Sequence, residues 1–420
     1  MGPRAVPDGT RDDRPVDVTL LGTGAPAGLP RPDCPCAVCA ASLGTRARAA
    51  TALLVDGTLL VDLTPGPAFA AARAGRSLHG VRQVLLSHPQ DGPPVEVPAG
   101  LPAPVRVPDG QDLALISGHR VHAVALDSPG TGYAVTGPDG QRLLYLPPGT
   151  APAGLEDAQA PYDLVLLDVL GRPEALARLR AAGVVGPTTD VLAVHVDHTV
   201  PPGDELHRRL AAAGARVEPD GTTLAAGDFH DVPEVPRRTL VLGGARSGKS
   251  VEAERRLSAH PDVLYVATGG SRDGDADWAE RVSAHRERRP SSWRTVETCD
   301  LVPLLERHGP PLLIDCLSLW LTDAMDAVDA WSDESWARGG RRRLDERVAE
   351  LVGAVRGTSR TVVAVSNEVG SGVHPATPAG RRYRDELGRL NTAFAAECEH
   401  ALLVVAGNAV VLRGGAGGGM

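Results

Sequence analysis

Short apolar runs punctuated by Gly, Pro and Asp dominate the first half of the chain. Val16–Leu21, Ala52–Val55, Leu59–Asp62, Val81–Ser87, Tyr133–Val135 and Leu143–Leu146 each have the length and β-prone content of a strand. Asp56-Gly57 supplies a hairpin turn between the second and third. Helical spacing is sparse at first, at Ala68–Arg73, and then alternates with strands: Asp163–Val169, helix Glu174–Ala182, Asp190–Val196, helix Asp204–Ala213. Many short strands followed by strand–helix alternation predict an α/β sandwich over residues 16–231. Residues 228–238 break the periodicity with Pro233, Pro236 and several charges, so a domain boundary is placed at about 235. Beyond it the order changes to strand Thr239–Leu242, helix Val251–Leu257, strand Val263–Thr268 and strand Leu312–Asp315, with Cys316–Asp323 continuing the last. Helix Arg341–Val355, strand Thr361–Val365, helix Arg381–Glu397 and strand Ala401–Ala406 follow. Regular strand–helix repetition predicts a mainly parallel α/β sheet over residues 236–413. Residues 1–15 and 414–420 read as a disordered leader and tail.

Length and charge narrow the function classes. A chain of 420 residues and 43.7 kDa suits two domains. Its 43 basic and 52 acidic residues give a net charge of −9, which argues against a general nucleic-acid binder. The polar N-terminus does not read as a signal peptide, and no apolar run approaches the ~20 residues of a membrane span. The expected location is therefore the cytoplasm, with no membrane partner. Three of the six cysteines crowd into Cys34-Pro35-Cys36-Ala37-Val38-Cys39, a metal-type rather than disulfide-type spacing. Cys34, Cys36 and Cys39 are candidate ligands of a structural Zn²⁺, with His230 a candidate fourth; the alternative is three plain thiols on a loop. His79, His119, His122 and His207 read as surface or loop histidines.

The chemistry concentrates after the boundary. Gly243-Gly244-Ala245-Arg246-Ser247-Gly248-Lys249-Ser250 matches GxxxxGK[ST] between a strand and a helix. Such a loop curls backbone N–H groups around a phosphate, and the helix N-terminus adds unsatisfied donors. Lys249 is then expected on the outer phosphates and the Ser250 hydroxyl on Mg²⁺, with Asp315 at a strand end as the second Mg²⁺ ligand. Trp278, Val282 and His285 share one helical face in a segment carrying Arg281, Arg286, Arg288 and Arg289. A histidine among arginines beside a nucleotide site can attack phosphorus, its neighbours neutralising the developing charge; a solvated basic helix is the alternative. Ser366-Asn367-Glu368-Val369-Gly370 places polar groups at a strand's carboxyl end, where open parallel sheets hold ligands.

Two resemblances follow from these residues. Residues 16–227 resemble the metallo-β-lactamase-like hydrolases through Leu21-Gly22-Thr23-Gly24-Ala25, the Cys34/Cys36/Cys39 cluster and His195-x-x-His198. That family's HxHxDH motif falls on His88-Pro89-Gln90-Asp91-Gly92, where two of its histidines are replaced. The resemblance implies an αββα sandwich, and its departures imply lost metal-dependent hydrolysis.

Residues 236–413 resemble the bifunctional adenosylcobinamide kinase/adenosylcobinamide-phosphate guanylyltransferases, which implies a P-loop (RecA-like) fold. The matching strings are the phosphate loop, Tyr265-Val266-Ala267-Thr268, Glu280-Arg281-Val282-x-x-His285-Arg286-x-x-Arg289-Pro290 and Trp293-Arg294-Thr295-x-Glu297. Asp315-Cys316-Leu317-Ser318-Leu319-Trp320-Leu321-Thr322, Ser366-Asn367-Glu368-Val369-Gly370-x-Gly372 and Arg384-Asp385-x-x-Gly388-Arg389-x-Asn391 complete the series. The resemblance implies ATP or GTP and a corrinoid as substrates, Mg²⁺ as cofactor, and catalytic roles for Lys249 and His285. It also implies a guanylyl intermediate on His285, nucleotide contacts from Glu297 and Glu368, and a homo-oligomer, with a trimer the first expectation. Asn367 and Asn391 are either functional or structural. Two other readings stay open: a nucleotide-dependent regulatory or binding protein, and a kinase of another small molecule.

Overall fold

The structure, a computed structural model, describes residues 16–89, 97–155, 160–228, 235–269, 283 and 287–414. The chain forms two compact units, Met1–Leu210 with Ala215–Val232, and Pro233–Met420 with Ala211–Gly214.

The first unit contains β1 (Asp17–Gly22), α1 (Ala37–Ala41), β2 (Ala52–Val55), β3 (Leu59–Val61), α2 (Pro67–Arg73), β4 (Gln83–Leu85), β5 (Asp112–Ala114) and β6 (Arg120–Val124). It continues with β7 (Gly132–Thr136), β8 (Arg142–Tyr145), β9 (Leu164–Leu167), α3 (Pro173–Ala181), β10 (Asp190–Ala193), α4 (Asp204–Ala212) and β11 (Thr223–Ala225). Two sheets result, in the orders β11-β1-β2-β3-β4 and β10-β9-β8-β7-β6-β5. Asp56 and Gly57, both at positive φ, close the β2–β3 hairpin. Strand alternation explains the layering. Leu53, Val55, Leu59 and Val61 of one sheet join Val121, Tyr133, Tyr145 and Leu166 of the other in one core. The alternate residues Leu54 and Leu60 turn the opposite way and pack with Ala71 of α2. Strands buried on both faces read as continuous apolar runs, and the layers form an αββα sandwich.

The second unit contains β12 (Arg238–Gly243), α5 (Lys249–Leu257), β13 (Leu264–Ala267), β14 (Arg294–Glu297), β15 (Leu312–Asp315), β16 (Val362–Asn367), β17 (His400–Val405) and β18 (Asn408–Arg413). Their order is β14-β13-β15-β16-β12-β17-β18, parallel except for the antiparallel edge strand β18. Cys316–Asp323 does not prolong β15 as the apolar run suggested. Cys316 stays extended and Leu317–Ala327 is a helix, because Leu317, Trp320, Leu321, Ala324 and Met325 recur at helical spacing and bury one face. β18 and β14 carry too few buried residues to announce themselves as strands. Among the described residues, no helix is long and apolar enough to cross a membrane.

Candidate functional site

β12 lies between β16 and β17, inside the sheet, and delivers Gly243 to the phosphate loop at the strands' carboxyl ends. A side chain at Gly243 would meet the Val404 carbonyl oxygen 2.7 Å away, so only glycine fits. The loop turns through Arg246 and Gly248, both at positive φ, into α5. Lys249 Nζ donates to the Gly244 carbonyl (3.1 Å), curling the lysine back over the loop. Gly407 N–H fixes the loop from β17's far end by donating to Ser247 O (2.8 Å). The Ser247 hydroxyl is buried with no hydrogen-bond partner among the described residues. An orphaned buried hydroxyl in a loop of this shape is what a site built for an absent polar ligand leaves behind.

Asp315 ends β15, two strands away in the sheet. Its Oδ2 accepts from the Tyr265 hydroxyl (3.0 Å). The Arg289 guanidinium lies 3.7 Å from the Tyr265 ring centre and donates to Thr295 Oγ1 (3.1 Å), while Arg288 pairs with Glu254 of α5 at 3.1 Å. His285 lies outside the described residues, as do Trp278, Glu280, Arg281, Val282 and Arg286. Glu297 ends β14 and helps line a cleft of about 440 Å³ with Thr268, Cys299, Leu319, Asp323 and Asp326. Burial and nearby Asp323 push the Cys299 thiol up to about 11, so it stays protonated there. Glu368 is not among the residues lining that cleft; its Oε1 accepts from Gly370 N–H (2.6 Å), closing its own loop.

The asparagines form a relay rather than helix caps. Ser366 Oγ donates to Asn391 Oδ1 (2.6 Å), and Asn391 Nδ2 donates to the Asn367 carbonyl (3.0 Å). Asn367 Nδ2 in turn donates to Ser318 Oγ (3.0 Å), which contacts Cys316 Sγ at 2.8 Å. Three of the sequence strings thus meet beside Asp315. Tyr265 and Ser318 went unremarked as site-forming residues because an aromatic in a strand and a serine in an apolar run carry no local signal of their partners.

In the first unit, Cys34, Cys36 and Cys39 converge on His198, whose Nδ1 lies 3.2, 3.7 and 3.6 Å from their sulfurs. All four ligand atoms lie within 4.8 Å of one another. A tetrahedral Zn²⁺ with metal–ligand bonds of about 2.0–2.3 Å needs ligand separations of roughly 3.5–3.8 Å, so three thiols and an imidazole fit this ion. The Cys39 N–H bond to its sulfur is the largest influence lowering the Cys36 thiol to about 6. Among the described residues the histidine that joins the three cysteines is His198; His230 lies outside the described residues. Separation along the sequence hid this: the histidine follows the cysteines by 159 residues or more.

Of the histidines of the hydrolase resemblance, His88 lies beside the buried Asp62, its Nδ1 3.7 Å from Oδ1. Arg106 Nη2 donates to His88 Nε2 (3.2 Å) and its Nε donates to the His88 carbonyl (2.8 Å). His195 is buried with Nε2 on the Leu146 carbonyl (3.1 Å), and burial lowers it to about 4. Asp62 accepts from Ser87 N–H (2.7 Å), Ser87 Oγ (2.5 Å) and Tyr145 OH (2.7 Å). Burial would raise its carboxyl, but these contacts and His88 outweigh burial and hold it below the usual range. Gln90, Asp91 and Gly92 lie outside the described residues. His119 is not a surface histidine: it is 2% exposed, with Nε2 2.7 Å from Asp56 and Nδ1 2.9 Å from Ser117. The turn between β5 and β6 carries its ring onto the hairpin of β2 and β3.

A phosphate loop at the carboxyl end of a parallel sheet, with an acid ending the strand two places away, defines the second unit as a P-loop nucleotide-binding domain. The profile of the family described as cobinamide kinase / cobinamide phosphate guanyltransferase matches residues 239–412. The bifunctional adenosylcobalamin biosynthesis protein CobP of Pseudomonas aeruginosa is 42% identical over 183 residues, covering 42% of this chain and 98% of that protein. CobU of Salmonella typhimurium is 36% identical over 185 residues, covering 41% and 98%. The chain belongs to this family of bifunctional kinase/guanylyltransferase enzymes of cobalamin biosynthesis through its second unit. The first unit is similar in fold to a diphosphatase of the PhnP family (TM-score 0.38, 20% identity, covering 52% of this chain and 100% of that one). It is likewise similar to Zn²⁺-bound PqqB from Methylobacterium extorquens (TM-score 0.34, 18% identity, 50% and 99%).

Proposed function

We propose that the chain phosphorylates the hydroxyl of the aminopropanol arm of adenosylcobinamide with ATP or GTP, then transfers GMP to the product through a guanylyl-histidine on His285. The product is adenosylcobinamide-GDP. The observation that carries this reading is the phosphate loop itself, with its inturned Lys249 and orphaned Ser247 hydroxyl, in a domain with this family match. Gly243–Ser250 hold the β- and γ-phosphates through backbone N–H groups, and Lys249 neutralises charge that develops on the transferred group. The Ser250 hydroxyl, at the first turn of α5, and the Asp315 carboxylate are hard oxygen donors that would hold Mg²⁺, which would supply charge neutralisation for the phosphates. In the second reaction His285 attacks the α-phosphorus of GTP, the bond to pyrophosphate breaks, and the cobinamide phosphate oxygen later displaces histidine. Splitting the transfer lets each step be positioned separately, with Arg288 and Arg289, three and four residues after the nucleophile in sequence, supplying positive charge. Glu297 and Glu368 contact the nucleotide, Glu297 from the cleft. The working assembly is a homo-oligomer, with a trimer the first expectation, and the first unit binds a structural Zn²⁺ through Cys34, Cys36, Cys39 and His198.

The first unit has no hydrolase activity in this reading. Two histidines of the family's metal-binding motif are replaced by Gln90 and Gly92, and His198 lies with three cysteines, so the ligand set for hydrolysis is incomplete even though His88 still faces Asp62 at 3.7 Å. A phosphodiesterase assay with excess Zn²⁺ or Mn²⁺ tests this, and metal-dependent turnover refutes it. The main reading is tested by incubating the protein with α-labelled GTP and isolating covalent GMP-protein, then supplying adenosylcobinamide. The adduct is expected in the wild type and absent in His285→Ala. An undiminished adduct in that variant overturns the histidine assignment, and failure to convert adenosylcobinamide with GTP favours a kinase of another molecule or a regulatory protein.

A further inference from the structure

Tyr265 and Asp315 meet for a reason set by strand register. β13 and β15 are parallel with Ala267 opposite Asp315 and Tyr265 opposite Leu313. Residues two apart on a strand share a face, so Tyr265 is the diagonal neighbour of Asp315. That face is the one covered by the helix of the phosphate loop, since Tyr265 and Leu313 pack with Ala253 and Leu257 of α5. The phenol is 5% exposed, and its hydroxyl reaches Asp315 Oδ2 at 3.0 Å. Burial and the adjacent Asp315 carboxylate both raise the phenol above its ordinary value, so it stays protonated and donates to Asp315. The other side of the same ring carries the Arg289 guanidinium at 3.7 Å.

We infer that Tyr265 is a positioning residue: its hydroxyl sets the orientation of the Asp315 carboxylate, and its ring anchors the arginine segment that follows His285. This deepens, and rests on, the reading of Asp315 as the carboxylate that holds the divalent cation. Fixing Oδ2 fixes the carboxylate plane and therefore the direction in which its second oxygen points. Arg288 on Glu254 and Arg289 on Tyr265 give the segment two anchors, one on the phosphate-loop helix and one on the strand beside Asp315. One side chain thus serves both half-reactions through different atoms. The hydroxyl serves the cation site, and the ring serves the guanylylation segment.

The two functions separate by substitution. Tyr265→Phe removes the hydroxyl and keeps the ring; Tyr265→Leu removes both. The full-length protein is loaded with a non-hydrolysable GTP analogue and titrated with Mn²⁺, read by the free-ion electron paramagnetic resonance signal. Tyr265→Phe should weaken Mn²⁺ binding about 10-fold, the usual lower effect of losing a partner that orients a ligand. It should form the covalent GMP adduct at the wild-type rate once metal is saturating, whereas Tyr265→Leu should be slow in adduct formation as well. Asp315→Asn is the control for the underlying reading. If it weakens Mn²⁺ binding and Tyr265→Phe does not, the inference is wrong and the reading stands. Wild-type affinity in Asp315→Asn overturns both. A measurement on the unmodified protein guards against a misfolded variant: Mg²⁺ addition to the analogue complex should give a tyrosine ultraviolet difference band that is absent in Asp315→Asn. No such band in the wild type also overturns the inference.

Discussion

Acidifying the protein from pH 7 to pH 5 should destabilise the first unit through His195. Its ring, buried against the Leu146 carbonyl, titrates at about 4 instead of 6.5 because burial penalises the charged form. Between those values the unfolded chain binds a proton that the folded chain refuses. Stability from this group is therefore complete above about pH 6.5, falls as pH drops through 6.5, and is fully lost near pH 4. The difference of 6.5 minus about 4 corresponds to about 3 kcal/mol in total, of which about 2 kcal/mol is gone at pH 5. Asp62 works in a lower window, because its depressed carboxyl is lost only as pH falls below the ordinary carboxylate range. All five tryptophans lie between residues 278 and 336, so their fluorescence reports the second unit alone. The assay is hydrogen exchange of peptides covering Leu164–Leu167 and Asp190–Ala193, corrected for intrinsic rates, in the wild type and His195→Gln. Selective ¹³C labelling of histidine should place one titration near 4. The same loss of protection in both proteins, or a His195 titration near 6.5, would refute the linkage.

Three further outcomes are expected. Elemental analysis should find about one zinc per chain in the wild type and far less in Cys36→Ala and His198→Ala; full occupancy without His198 would exclude it as the fourth ligand. Asn391→Ala strips a partner from both Ser366 Oγ and the Asn367 carbonyl, and should cost about 1–3 kcal/mol in urea unfolding of the second unit. An unchanged unfolding midpoint would show that the relay contributes nothing. Gly243→Ala places a methyl within 2.7 Å of the Val404 oxygen and should reduce nucleotide affinity by at least about 10-fold, the equivalent of 1.4 kcal/mol, in equilibrium dialysis.

What could be read from the chain depended on how local its cause was. The phosphate loop was legible because its glycines, lysine and flanking strand and helix are contiguous, and the physics that shapes them is backbone geometry. Helix Leu317–Ala327 was misread because a run of apolar residues fits a buried strand and a buried helix equally, and only its spacing decides. β5, β6 and β11 carry little local signal because strands of three to five residues with exposed or half-buried positions leave little alternation to detect. His198 was visible as a histidine but not as the partner of Cys34, Cys36 and Cys39, a pairing made only when the loops after β1 and β10 meet. The same applies to Tyr265, whose partner Asp315 sits 50 residues on, and to the Asn391 relay.

The separation of the cysteines from His198 also bears on how the chain is made. The three thiols leave the ribosome early, and the imidazole that completes their set follows 159 to 164 residues later. At roughly 5–20 residues per second, this is a delay of about 10–30 s. Throughout it, Cys34, Cys36 and Cys39 are a three-ligand, solvent-reachable trap, open to oxidation or to whichever soft metal arrives first. In the zinc reading proposed above, a metal caught early must exchange once His198 emerges, so the yield of zinc-loaded protein should follow the reducing power and free zinc available during synthesis.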